Sequence, residues 1–405
     1  MSSEEVGNMR RLGALLLICV CLFSSAHAQE PSPGEALDAA FRRYSTLGGV
    51  VAVIQNGEVT FTHTFGVRKI GGDPVEEDTL FQVGSISKMI ANIGLMQLLE
   101  EKGLTLETEL GDVLGYPVRN PAYPQEPVTL RQLMTHTAGL RDSGDYQLAI
   151  AGHPVSLKKM FTTRGEYTFY SSIRPGSKRE YSNLGGGLIG CLIEKLSGQT
   201  LDDYLQEHVF DPLGVNAAYQ PSRFGEDAPF ADMYHMPERY SAKVLSADKT
   251  RITQPDPDTH YFLTAGKLVI SAPDLCKLLI ALCDGGVYQN TRILSESAAQ
   301  AISTPHNAIA SVDCEAGHGL FMNIIQNDQV EGRTMYGHGG KANGMLCAAY
   351  FDPSDRTGVV MLTNGCQNES AHNGVGMLGR VIMRICYDQI IDPTHERKEL
   401  FAVTD

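Results

Sequence analysis

The chain has 405 residues, 42% of them hydrophobic and 20% charged, an ordinary globular composition with room for one large domain or two small ones. A formal charge of −14 at pH 7 argues against nucleic acid as a partner, because a phosphate backbone is gripped by clustered Lys and Arg. The 12 histidines show no H-E-x-x-H or H-x-H spacing and the 9 cysteines no C-x-x-C pair, so no metal and no cofactor are expected.

Residues 1–28 read as a secretory signal peptide. Arg10 and Arg11 precede LGALLLICVCLF, and Ala26-His27-Ala28 fits an A-x-A cleavage site. That apolar run is about twelve residues, short of the ~20 that span a bilayer. No later stretch is long and apolar enough to cross, so no stable span is expected in the mature protein. Outside the leader, Cys191, Cys276, Cys283, Cys314, Cys347, Cys366 and Cys386 are scattered. Cys191, Cys276, Cys283 and Cys386 sit in apolar helical surroundings and read as small buried hydrophobes. Disulfide pairing and oligomeric state stay open.

Glu35 to Tyr44 reads as a helix. Val50–Ile54 and Val59–Phe65, joined through Asn56-Gly57, read as a β-hairpin whose strands are apolar enough to be central in a sheet. The stretch Phe81 to Gly103 opens on a Gly-Ser turn and continues as a helix with Ile86, Met89, Ile90, Ile93, Leu95, Met96, Leu98 and Leu99. That spacing makes the helix apolar nearly all round, hence buried, with Gly103 as its terminating glycine. Val128 to Met134 is a short helix capped by Thr129, ending in Thr135-His136-Thr137-Ala138-Gly139-Leu140. Tyr181-Ser182-Asn183 follows a Pro175-Gly176 turn and reads as a loop tip. Leu184 to Gly214 reads as two helices split at Gly198, the second capped by Thr200. Phe224 to Pro257 is polar and irregular and should cover a groove. Asp142 to Pro154 should help shape the pocket. Leu275 to Leu282 is helical. After about Gly317, Gly319–Ile325, Thr334–Gly337, Met345–Phe351 and Gly358–Leu362 read as strands, and His372–Cys386 as a closing helix.

Strands at both ends and helices between them predict an α+β fold. An antiparallel sheet flanked by terminal helices (about 35–80 and 315–392) would join a mostly helical lobe (about 81–314) within one unit, 29–405.

Ser85 and Lys88 lie one turn apart at the start of the buried helix, so both side chains leave one face. A serine hydroxyl needs a base within hydrogen-bond reach to become a nucleophile, and a buried amine can supply it. The same Ser-x-x-Lys spacing recurs at Ser156-Lys159 and Ser246-Lys249, but only Ser85 opens a long apolar helix. Tyr181 brings a phenol that can shuttle a proton, and Asn183 an amide that can hold a carbonyl and the lysine. His338-Gly339-Gly340 lies at a strand edge where glycines admit a substrate backbone and N–H groups can face an oxyanion. Tyr288-Gln289-Asn290 and His372-Asn373-Gly374 imitate these triplets in the wrong contexts, a turn and a helix start.

In order, the set Ser85-Ile86-Ser87-Lys88, Tyr181-Ser182-Asn183 and His338-Gly339-Gly340 resembles the serine β-lactamase and penicillin-binding protein superfamily. The closest likeness is to the branch with class C β-lactamases, D,D-carboxypeptidases, D-aminopeptidases and esterases. Phe81–Lys88, Val128–Leu140, Pro175–Gly187, Asp211–Gly214 and Ala265–Asp274 extend the likeness over roughly Leu37 to Arg384. The resemblance implies a serine hydrolase with a small-molecule or short-peptide substrate. Ser85 is then the acylated nucleophile, Lys88 and Tyr181 manage its proton, and Asn183 orients substrate and lysine. The N–H groups of Ser85 and Lys341 form the oxyanion hole, and His136 is structural. The third motif departs from the Lys-Thr-Gly of typical β-lactamases. A neutral His338 holds a substrate carboxylate less firmly, which favours a peptidase or esterase over a β-lactamase. A silent peptide- or penicillin-binding sensor is the alternative of another class, opposed by the intact Ser85, Lys88, Tyr181 and Asn183. An activity limb tied to His338 is expected at pH 5–8.

Overall fold

The computed structural model describes residues 31–306, 317–327, 329–367 and 375–394. The leader, Cys314 and the His372-Asn373-Gly374 triplet lie outside them. In chain order, helix α1 (Pro33–Arg43) leads into β1 (Gly48–Gln55) and β2 (Glu58–Gly66). The short β3 (Phe81–Gln82) runs into α2 (Ile86–Glu101). Then come α3 (Asn183–Ser197), β4 (Ala217–Ala218), β5 (Val269–Ile270) and α4 (Ala272–Cys283). The chain closes through β6 (Asn323–Gln326), β7 (Thr334–Ala342), β8 (Met345–Asp352), β9 (Thr357–Thr363) and α5 (Gly376–Cys386).

The main sheet is antiparallel, in the order β6-β7-β8-β9-β1-β2, so the two ends of the chain share it. The seam is the β1–β9 pairing, with Gly49 opposite Thr363 and Val51 opposite Met361. Strand β1 is a continuous apolar run because both its faces are covered. Val50, Ala52 and Ile54 enter one core, with α2 and α4; Val51 and Val53 enter the other, with α1 and α5. Helix α4 therefore packs on the sheet, against β1, β8 and β9, although its position in the chain put it with the helical lobe. Ser271 caps α4 by accepting from the Asp274 N–H.

The hairpin turn forms as expected, with Asn56 and Gly57 at φ of 54° and 77°, the left-handed pair that a type I′ turn requires. Its second strand is not central. Glu58, Thr60, Thr62 and Thr64 alternate with the apolar residues of β2, and the strand is the outer edge of the sheet. The Phe224–Pro257 segment is also more ordered than its composition suggests. Met233–His235 and Tyr240–Lys243 pair as a small hairpin, and the Tyr234 N–H donates to the Asn364 carbonyl just past β9.

Helix α2 is enclosed on all sides, with every residue from Ile86 to Leu99 buried except Gln97. Each of its large aliphatic side chains contributes about 1.5–3 kcal/mol by leaving water. Gly103, at φ 64°, takes the left-handed conformation that stops it. Among the described residues no helix is long and apolar enough to cross a membrane. Cys191, Cys276, Cys347, Cys366 and Cys386 are buried free thiols, and Cys283 is a half-buried one.

Candidate active site

Ser85 stands at the N-cap position of α2 in helical backbone geometry (φ −64°, ψ −12°), and its hydroxyl makes no capping bond. It is left for other partners. Gly84 before it, at φ 56°, is the tight point. A Cβ there would lie 2.8 Å from the Met345 methyl and 3.0 Å from the Lys341 amide nitrogen. Strand β7 can thus press its Gly340–Lys341 backbone against the Gly84–Ser85 turn. The Lys341 amide lies against Gly84, the residue before Ser85, while the Lys341 residue is exposed.

Lys88 is wholly buried. Its Nζ donates to Ser85 Oγ at 3.0 Å, to Asn183 Oδ1 at 3.0 Å and to the Ala265 carbonyl. Three acceptors match the three protons of an ammonium. The stem fits because α3 carries glycine at 186, where a Cβ would fall 2.2 Å from Lys88 Cε. Tyr181 Oη donates to Ser85 Oγ at 2.8 Å, and the Tyr181 ring centroid is 5.1 Å from Lys88 Nζ.

Tyr181, Ser182 and Asn183 are not a loop tip. They are the start of α3, with Ser182 at the N-cap accepting from the Gly185 N–H and Asn183 as the first helical residue. The glycine run that follows lets α3 approach the Lys88 stem at Gly186 and the Tyr261 backbone at Gly187. Two residues from the segment after Thr129 set this start. His136, at φ 57°, packs its ring against Tyr181 at a tilt of 35° with 4.4 Å between ring centroids, and its Nδ1 accepts from the Ser182 N–H at 3.3 Å. Asp142 accepts from Ser182 Oγ, Asn183 Nδ2 and the Leu184 N–H at 3.0, 2.8 and 2.9 Å.

His338, on β7, is buried, 6.4 Å from the Tyr181 ring. Its Nδ1 is 2.6 Å from the Gly339 carbonyl, which can only accept, so the proton sits on Nδ1. Burial first, then the nearby Lys88 charge, pushes its pKa down to about 3. The expected activity limb at pH 5–8 therefore does not come from His338, which stays neutral across that window. Burial likewise holds His318 at about 3 and His136 well below the usual imidazole value.

Ser85, Lys88, Tyr181 and Asn183 thus meet through direct hydrogen bonds, and His338, Gly339, Gly340 and Lys341 line the adjoining strand. The imitators stay apart: Ser156 caps the Leu157–Thr162 helix, and Tyr288–Asn290 is a two-strand turn. The sequence reading missed the Ala265 carbonyl, Gly186 and the role of Asp142. Asp142 lies two residues past the Thr135–Leu140 stretch, and a carboxylate ending that stretch was the available signal.

A family model described as Beta-lactamase matches residues 35–378. Penicillin-binding protein 4 of Amycolatopsis lactamdurans is 26% identical over 85% of this chain and 86% of its own. Esterase EstB of Burkholderia gladioli is 29% identical over 50% of this chain and 55% of its own. Among solved structures, the D-amino acid amidase from Ochrobactrum anthropi SV3 complexed with D-phenylalanine superposes with a TM-score of 0.68. It is 20% identical, over 89% of this chain and 98% of that one, a likeness of fold.

Proposed function

The chain belongs to the beta-lactamase family of serine hydrolases, and we propose that it forms an acyl-enzyme on Ser85 with a small amide or ester. One observation carries the reading: the Ser85 hydroxyl is met by an amine at 3.0 Å and a phenol at 2.8 Å. Once the Lys88–Tyr181 pair has given up one proton to solvent it is the base, and it takes the Ser85 proton as Ser85 Oγ bonds to the substrate carbonyl carbon. The pair returns it to the leaving nitrogen or oxygen as that bond breaks. Water then attacks the acyl carbon with the same pair as base, and Ser85 is freed. The N–H groups of Ser85 and Lys341 receive the charge that grows on the carbonyl oxygen. Asn183 holds Lys88 and the substrate carbonyl.

D-amino-acid peptides are the favoured amide class, in keeping with a penicillin-binding protein among the relatives and a D-amino acid amidase among the structures. A neutral His338 offers no charge to a substrate carboxylate, which counts against efficient β-lactam hydrolysis. We place the protein outside the cytoplasm, with the leader removed after Ala28. Intact-mass analysis after incubation with esters, D-peptides and penicillins tests the reading, together with nitrocefin turnover. An acyl adduct on Ser85 from an ester or D-peptide is expected. Fast nitrocefin turnover with esters and D-peptides untouched would make it a β-lactamase, and no labelling by a fluorophosphonate would make it a sensor.

A further inference from the structure

We propose that Asp142 is a positioning residue that fixes the orientation of the Asn183 amide and, through it, the proton on Lys88; this rests on the reading that Lys88 serves Ser85. Asp142 Oδ1 accepts from Ser182 Oγ and the Leu184 N–H, and Oδ2 accepts from Asn183 Nδ2. On its other side Asn183 Oδ1 accepts from Lys88 Nζ. An ionised carboxylate can only accept and an ammonium can only donate. The amide between them has one orientation that satisfies both, nitrogen toward Asp142 and oxygen toward Lys88. Its oxygen then completes the acceptor set of Ser85 Oγ, Asn183 Oδ1 and the Ala265 carbonyl, one for each N–H of an ammonium.

The other groups near Lys88 do not supply this bias. Tyr181 stacks beside it, while His136 and His338 are neutral and Arg179 is a like charge. Tyr146 faces Asp142 from the helix at Gly144–Ile150, with its own pKa raised by burial and then by Asp142. No other carboxylate makes a hydrogen bond to Asn183 among the described residues.

Asp142→Asn separates the two functions of the carboxylate. Its remaining oxygen can keep the bonds to Ser182 and Leu184 that start α3. The new NH2 faces Asn183 Nδ2, so the Asn183 amide must turn and present N–H to Lys88. The second-order rate of Ser85 labelling by a fluorophosphonate is measured against pH. Asp142→Asn is expected to stay folded, to label about tenfold more slowly at its plateau, and to move the limb of the Lys88–Tyr181 pair to lower pH. The shift is about one to two pH units, the worth of one hydrogen bond to a charged group.

The exchange Asp142→Asn with Asn183→Asp restores an acceptor toward Lys88, so its limb should return to the wild-type pH or above. Ser182→Ala loses the bond to Oδ1 and the α3 cap but keeps the Asn183 bonds to Asp142 and Lys88, and its limb should not move. An unmoved limb in folded Asp142→Asn overturns the proposal. So does an equal shift in Ser182→Ala, or an exchange variant whose limb lies below the wild type. If Asp142→Asn alone fails to fold, the exchange variant decides; if both fail, Asp142 is a folding residue and the proposal falls. Labelling that persists in Ser85→Ala would instead sink the reading on which this rests.

Discussion

Ser85-Lys88 and Ser156-Lys159 have the same spacing and both open helices, yet they are chemically opposite. Ser156 adopts extended backbone geometry (φ −60°, ψ 140°), and its hydroxyl accepts from the Lys159 N–H, so the oxygen is spent on starting a six-residue helix. Lys159 is exposed. Ser85 is already helical, caps nothing, and turns its oxygen to Lys88 and Tyr181, with the amine fully enclosed. A turn of helix with serine and lysine becomes reactive only where the serine is excused from capping and the lysine from solvation.

The largest expected effect tests that contrast directly. Ser85→Ala should abolish fluorophosphonate labelling while circular dichroism stays native, and Ser156→Ala should label at the wild-type rate. The reverse pattern would put the chemistry on the other serine. Tyr181→Phe keeps the ring and removes the hydroxyl, and turnover should drop by on the order of 10²-fold or more, a usual general acid–base contribution. An unchanged rate would remove the phenol from the proton path. Gly186→Ala pushes a methyl into the Lys88 stem, and displacing the amine by about an ångström should cost roughly 10²-fold in turnover. Near-normal activity would mean that enclosure of the lysine is looser than the contacts say.

Smaller effects sharpen the other half of the contrast. Ser156→Ala loses a cap and should cost about 1 kcal/mol in denaturant unfolding with turnover intact. The smallest expected effect is on the pH–rate profile, which His338→Gln should leave unmoved between pH 5 and 8, since His338 does not titrate there. Its titration appears in stability instead. His338 and His318 fall from an ordinary 6.5 to about 3, so the unfolded chain binds protons in that interval and the native one does not. Their contribution to stability is complete above pH 6.5 and is lost as pH falls toward 3, which unfolding midpoints of wild type and His338→Gln across that range would measure.

How much was legible follows from how local each signal is. Ser85 and Lys88 declare themselves within one turn of an apolar run, and Asn56-Gly57 within two residues. Tyr181 and His338 carried motifs that could be matched without knowing their neighbours. Asp142 could not be read the same way: its donors come from Ser182, Asn183 and Leu184, and only the folded chain brings them to it. The Ala265 carbonyl is invisible for a different reason, since every residue has one. The glycines before Leu188 read as part of a helix, yet they made the Tyr181–Asn183 triplet ahead of them look like a loop tip, because helix propensity disfavours glycine. In the fold the missing side chain of Gly186 lets α3 lie against Lys88 of α2, and that of Gly187 admits the Tyr261 backbone.

The pairing of Gly49 with Thr363 has a consequence for how the protein is made. A ribosome adding about 5–20 residues per second needs roughly 15–60 s to travel from one strand of that pair to the other. Throughout that interval the apolar β1 is out in the open with one flank unmatched, a hazard for premature association. Nascent chains must therefore be shielded, or carried off still unfolded, until the last third has emerged and the sheet can close.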